Sequence, residues 1–309
     1  MFFFNTIRKK VWSSPHVLLT LTTLMWAGHA NILKLSIYEV SPMILMGFRW
    51  IGCFLILTFF LRKEILFYIP KVINRLSWLW LMGGFGMAGF TICLIFAAQQ
   101  TSAINLGITQ SFIPALVMLL GLVILKTKIT LLQALGLLLS LTGALILVSR
   151  GSFGTFNNLN FNNGDLIMLL GCLCYAGYTV GLTNRVKMPP SVMFAIFSFF
   201  AALTLIACII LEYFQGKTVL PSLVGMGLIA YCIIFPSILA QIFFIRGVEL
   251  IGANQAGLYV NLVPVFTALM AVFILSETIY LYHTVSLVLV LGGIYITEKI
   301  TLVPNNKKL

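Results

Sequence analysis

Long apolar runs separated by short polar breaks recur from one end of the chain to the other. A helix that crosses a bilayer needs about 20 mostly apolar residues. In hydrocarbon the backbone must satisfy its own hydrogen bonds, so only helices and closed barrels span. The runs predict ten spans, at 17–37, 43–61, 78–98, 103–125, 130–149, 165–184, 191–212, 223–245, 253–275 and 280–299. The longer breaks, 62–77 and the Gly- and Asn-rich 150–164, read as loops, the second as a flexible linker. Charge is too scarce for a water-facing surface: 8% of the 309 residues are charged, 61% are hydrophobic and mean hydropathy is +1.08.

The first run needs a check, because Arg8-Lys9-Lys10 followed by an apolar stretch and Ala27-Gly28-His29-Ala30 imitates a secretory leader. Its length and its partner in the second half favour a retained helix. A shift of 150 residues places Ala103, Gly107, Pro114, Leu125, Leu131, Leu141 and Gly143 on Ala253, Gly257, Pro264, Leu275, Leu281, Leu291 and Gly293. A shift of 149 places Trp26-Ala27-Gly28 on Tyr175-Ala176-Gly177. The chain therefore reads as two five-helix units, residues 1–155 and 156–309. Five is odd, so the second unit enters the membrane upside down. The predicted fold is an all-α polytopic membrane protein, ten helices in two inverted five-helix repeats.

Basic residues prefer the cytoplasmic side, so matching loops of inverted units should exchange their charge. The loop at 36–40 has no basic residue, whereas its counterpart carries Arg185 and Lys187; Lys126-Thr127-Lys128 is answered by Ser276-Glu277-Thr278. With the N-terminus inside, 15 of the 19 Lys and Arg fall on the cytoplasmic side. Two, Arg150 and Lys217, fall outside, and Lys34 and Arg49 lie within spans. Both termini are thus expected in the cytoplasm of a cell-membrane protein. The net charge of +12 is a topology signal rather than a phosphate-tracking stripe, so nucleic acid is not an expected partner.

Paired five-helix halves, Trp26-Ala27-Gly28 and Gly47-Phe48-Arg49 resemble the EamA-type transporters of the drug/metabolite transporter superfamily. So does the closing pattern Ala253, Gly257, Pro264, Leu275-Ser276-Glu277 and Gly293. The resemblance implies carriage of small metabolites, amino acids among them. Thr127 departs from the pattern, standing where the family usually has Glu.

His16, His29 and His283 are scattered with no acid nearby in sequence, and no Gly-rich phosphate loop is present, so no catalytic residue is assigned and an enzyme is not expected. Six cysteines inside apolar runs read as small buried hydrophobes, so neither a metal nor a cofactor is expected. The informative residues are polar or aromatic ones at membrane depth. Lys34 and Arg49 lack a deep Asp or Glu to neutralise them. Lys34 can snorkel to water, and Arg49 can bond backbone carbonyls, or either can face a wet cavity. Trp26 and His29 share one face of the first span, Asn31 and Lys34 an adjacent one; Tyr175 and Tyr178 repeat the arrangement. Small-residue stripes lead to Pro114 and Pro264, expected helix kinks, with Gln110, Tyr259 and Asn261 beside them, and Gln241 adds a further polar group at depth.

The expected substrate-binding set is therefore Trp26, His29, Asn31, Lys34, Arg49, Gln110, Tyr175, Tyr178, Gln241, Tyr259 and Asn261. The expected function is secondary transport by alternating access of an amino acid or related organic anion or zwitterion. The expected partners are that small molecule and the lipid bilayer. The alternative is a non-transporting membrane scaffold or complex subunit, which has no need of this polar set.

Overall fold

The computed structural model describes residues 9–36, 38–152, 154–157, 162–275 and 279–298, and within these the side chains at 33–35, 156–157, 271–275 and 298 lie outside the description. Ten helical spans follow one another. α1 is Pro15–Leu35 and α2 is Pro42–Val72. α3 joins Leu76–Trp80, a π-helical stretch Leu81–Gly89 and Phe90–Ala98. α4 is Ala103–Ser111 with Ile113–Ile124, and α5 is Leu131–Val148. α6 is Asn163–Gly181 and α7 is Pro190–Phe214. α8 joins Leu223–Cys232, a π-helical stretch Ile233–Leu239 and Ala240–Ile251. α9 is Ala253–Leu258, a 3₁₀ turn Tyr259–Asn261 and Leu262–Leu275; α10 is Leu281–Glu298. Among the described residues every regular element is helical, and six stretches are long and apolar enough to cross a membrane, one of them, Pro42–Ala98, covering α2 and α3 together.

Local chemistry sets the helix starts. Ser102, Thr130, Asn162 and Ser222 cap α4, α5, α6 and α8 with side-chain oxygens, and Thr130 and Asn162 form reciprocal boxes with Gln133 and Asp165. Proline opens α2 and α7, where its missing N–H costs nothing.

The expected loop at 62–77 is a misreading. α2 continues to Val72, bending at Leu61 (φ −115°, ψ 18°), and a 3₁₀ turn Ile73–Arg75 joins it to α3. Arg62-Lys63-Glu64 are good helix formers, so loss of hydrophobicity ends the apolar run without ending the helix. In the expected linker 150–164 a short helical piece, Gly154–Asn157, precedes α6, while residues 153 and 158–161 lie outside the described set, as does Ser276-Glu277-Thr278.

The repeats meet most closely at α5 and α10. A Cβ on Gly143 would lie 2.9 Å from Ser286 O, and one on Gly293 would press on Gly136 O and lie 2.7 Å from Ser140 N. The Ser286 hydroxyl donates to Gly143 O at 2.7 Å. The 150-residue shift exchanges the pairs Gly136–Gly293 and Gly143–Ser286, as a twofold axis between the helices requires. α2 and α7 form a second such pair. α6 packs along α3 as α1 packs along α8, and α4 packs on α6 as α9 packs on α1.

The π-helical stretches obey the same relation, since the shift carries residues 83–89 onto Ile233–Leu239. The sequence reading did not foresee them. In α3, glycines let the widened turn sit against its neighbours: a Cβ on Gly86 would be 2.6 Å from Tyr178 Cβ. In α8 the position equivalent to Gly86 is Pro236, which has no N–H to give. The Ser237 hydroxyl donates to Cys232 O at 2.7 Å, satisfying a carbonyl near the break. The helices that carry Pro114 and Pro264, where kinks are expected, are interrupted just upstream of them, at Phe112 in α4 and at Tyr259–Asn261 in α9. One residue, Gly252, joins α8 to α9 at φ +82°, a conformation that suits glycine.

Candidate substrate site

Trp26 of α1 and Tyr175 of α6 occupy equivalent places in the two repeats and meet edge to face, ring centroids 5.9 Å apart. Phe244 of α8 packs against both, at 5.3 and 5.9 Å, and against Tyr178 at 6.4 Å. Phe90 of α3 closes on Tyr175 at 5.3 Å. Polar atoms inside this aromatic cluster are few and directed. Trp26 Nε1 donates to Pro236 O at 3.1 Å, within the π-helical stretch of α8. The Tyr178 hydroxyl donates to Gln241 Oε1 at 3.2 Å. The Tyr175 hydroxyl oxygen is buried and unpartnered.

One turn along α1 from Trp26, His29 meets Arg49 of α2, with Nη1 3.2 Å from Nε2. Arginine only donates, so Nε2 accepts and the ring proton sits on Nδ1. Arg49 also touches Met46 Sδ at 3.4 Å and lies over the Trp50 ring at 4.7 Å. Arg49 Nε and Trp50 Nε1 are buried without a hydrogen-bond partner, and the Arg49 side chain is 6% exposed. Among the described residues no carboxylate pairs with it.

The structure thus brings Trp26, Tyr175, Tyr178 and Gln241 into one cluster, with His29 and Arg49 a turn away. It does not add the rest. Asn31 donates to Ala27 O and Thr267 O, tying α1 to α9. The Tyr259 hydroxyl lies 2.8 Å from His16 Nδ1. Asn261 donates to Ser140 Oγ of α5 at 3.1 Å and is 1% exposed, so it serves the α5–α9 contact. Gln110 is half-buried on α4, and the Lys34 side chain lies outside the described residues. Sequence reasoning missed Phe244 and Pro236; a third in-span proline opposite Gly86 was the available signal. Among the described residues no group of three His, Cys, Asp or Glu side chains could hold a metal ion.

Two copies of one family model match the chain, over residues 13–149 and 162–298: the EamA-like transporter family. This chain belongs to that family. The EamA match makes it an integral, multi-pass membrane transporter. Its relatives include an uncharacterized transporter, YyaM, of Bacillus subtilis (strain 168), 27% identical over 75% of each chain. An uncharacterized transporter of Archaeoglobus fulgidus is 26% identical over 92% of this chain and 97% of that one. A crystal structure of a protein with 17% sequence identity shares the EamA fold seen here, with a TM-score of 0.74 over 93% of this chain and 97% of that one.

Proposed function

We propose that this protein is a secondary transporter that moves a small carboxylate-bearing metabolite, an amino acid or related organic anion, across the cell membrane by alternating access, both termini lying in the cytoplasm. One observation carries the reading: equivalent positions in the two repeats differ in cover. Tyr178 and Thr179 near the cytoplasmic end of α6 are fully buried, whereas their counterparts His29 and Ala30, toward the outer end of α1, are half-buried. Ala253 and Leu262 of α9 are buried, whereas their counterparts Ala103 and Phe112 of α4 are exposed. A pair of inverted repeats closed at one end and looser at the other is one of two mirror-related states.

The closed end is held by cross-repeat contacts. A Cβ on Gly257 would lie 3.1 Å from Val117 Cγ1, and one on Gly121 would lie 2.6 Å from Asn254 Oδ1. Arg75 donates to Asn184 O, and Arg246 donates to Trp12 O while pairing with Glu249 at 2.8 Å. Arg49 supplies the substrate class. A buried guanidinium with an unpartnered Nε and, among the described residues, no acid beside it is short of an anion, and arginine grips carboxylates with two parallel bonds. The aromatic cluster a turn deeper suits the remainder of the molecule.

The test is a cysteine pair. A Cβ at 257 would be 3.3 Å from Val117 Cβ, close to the roughly 3.5–4.5 Å of a disulfide. Val117→Cys with Gly257→Cys, in a background with the native cysteines replaced, should cross-link on oxidation and stop uptake of labelled amino and organic acids into proteoliposomes, and reductant should restore it. The shifted pair, Gly107→Cys with Thr267→Cys, should cross-link only in the opposite state. Full uptake with the 117–257 bridge formed ends the alternating-access reading. A scaffold would show no uptake in either redox state.

A further inference from the structure

We propose that the outer face of α2 at its bend is a binding site for one anionic phospholipid of the cytoplasmic leaflet. At 1.5 Å per residue, the helix from Pro42 to the bend at Leu61 is about 30 Å long, the thickness of the hydrocarbon core. The bend therefore falls where acyl chains give way to headgroups. A groove of about 570 Å³ opens there, lined by Leu55, Thr58, Phe59 and Arg62. Leu55 and Phe59 are exposed apolar side chains on the acyl side, and Arg62 follows immediately after the bend.

Thr58 stands between them. Thr22, Thr91, Thr109, Thr179 and Thr267 each donate to the carbonyl four residues back in their own helices. The Thr58 hydroxyl oxygen makes no such bond and is buried beneath the lining, closed to a molecule in the groove. A phospholipid supplies what the open part of this groove lacks: a phosphate for Arg62 and chains against Leu55 and Phe59.

The surroundings favour a net negative headgroup. Lys63, Lys71 and Arg75 follow on the same segment, opposed by one carboxylate, Glu64. Lys71 is held over the Phe67 ring at 3.9 Å, away from the groove residues, while Leu66, Phe67 and Ile73 stay exposed as interfacial anchors. The second repeat has no such extension, because α7 ends at Phe214. Repeat symmetry therefore does not account for it.

The full-length protein, reconstituted with equal phosphatidylglycerol and phosphatidylcholine, is released from detergent and its retained lipid counted by native mass spectrometry. Phosphatidylglycerol should dominate. A cation near a membrane surface changes anionic-lipid affinity about fivefold. Lys71→Gln should cost no more than that, and Arg62→Gln, with the same charge change, should cost about tenfold or more because a charge-assisted bond is also lost. Thr58→Val, which changes an oxygen closed to the groove and removes no charge, should leave retention unchanged. Equal losses in Arg62→Gln and Lys71→Gln would replace the site with a diffuse field and overturn the proposal, as would equal retention of both lipids. Unchanged circular dichroism and elution volume show that each variant is folded.

Discussion

Neighbouring glycines on α10 should respond oppositely to the same added methyl group. At Gly292 a Cβ would meet only Leu139 Cδ2, at an ordinary 3.4 Å. At Gly293 it would press on Gly136 O and lie 2.7 Å from Ser140 N and 2.9 Å from Ser140 Cβ. Those are largely backbone atoms of α5 and cannot rotate aside. Carbon contacts relax to about 3.5 Å or more, so the helices must part by close to 1 Å. A gap of that size forfeits up to about half the attraction of each facing atom pair. It also stretches the Ser286–Gly143 bond, of a kind that contributes about 0.6 kcal/mol between membrane helices. Overpacking of this sort costs about 3 kcal/mol at the upper end of its usual range, and replacing a helical glycine by alanine returns about 1 kcal/mol. Gly293→Ala should therefore lose about 2 kcal/mol, while Gly292→Ala should be neutral or gain up to about 1 kcal/mol. Reversible unfolding in mixed SDS micelles reads both. Gly293→Ala as stable as Gly292→Ala would refute the account of how the two repeats are joined.

Ser237→Ala removes the hydroxyl bonded to Cys232 O and should destabilise by about 1 kcal/mol, with faster hydrogen exchange confined to the middle of α8. A double-mutant cycle of Tyr178→Phe with Gln241→Leu should give a coupling of about 0.6 kcal/mol in the same unfolding assay, and additive losses would mean that the bond contributes nothing. Asp165→Asn should cost about 2 kcal/mol, because one carboxylate accepts from the Thr101 hydroxyl at 2.6 Å, Asn105 Nδ2 at 3.0 Å and Asn162 N at 2.9 Å; protease nicking of the 99–102 connection should rise with it.

The repeat and its inversion were legible because they depend on spacing and charge, which survive without coordinates. Gly143 and Gly293 matched in sequence, and they face the twofold contact in space. The cluster of Trp26 with Tyr175 was legible for the same reason: residues at equivalent places on α1 and α6 meet near the axis. Tyr259 and Asn261 did not join it because helix rotation decides which side a residue faces, and a 3₁₀ turn resets that rotation within α9. The loop misread at 62–77 shows the limit of hydropathy, which reports where lipid ends and not where hydrogen bonding ends. The π-helical stretches leave no periodic trace in side chains, although Pro236 marked one of them. Asp165 stands at a span end, where a solvated acid is the ordinary expectation, yet it is 5% exposed and organises the start of α6.

The single residue between α8 and α9 has a mechanical meaning. Consecutive Cα atoms are 3.8 Å apart, so Gly252 leaves no slack, and any displacement of the end of α8 is delivered to the start of α9. The equivalent connection in the first repeat, between Ala98 and Ala103, has four residues and can absorb movement as slack. Two repeats that match in outline are therefore geared differently, one as a stiff crank and the other as a loose tether, and the two ends of the molecule need not open at equal cost.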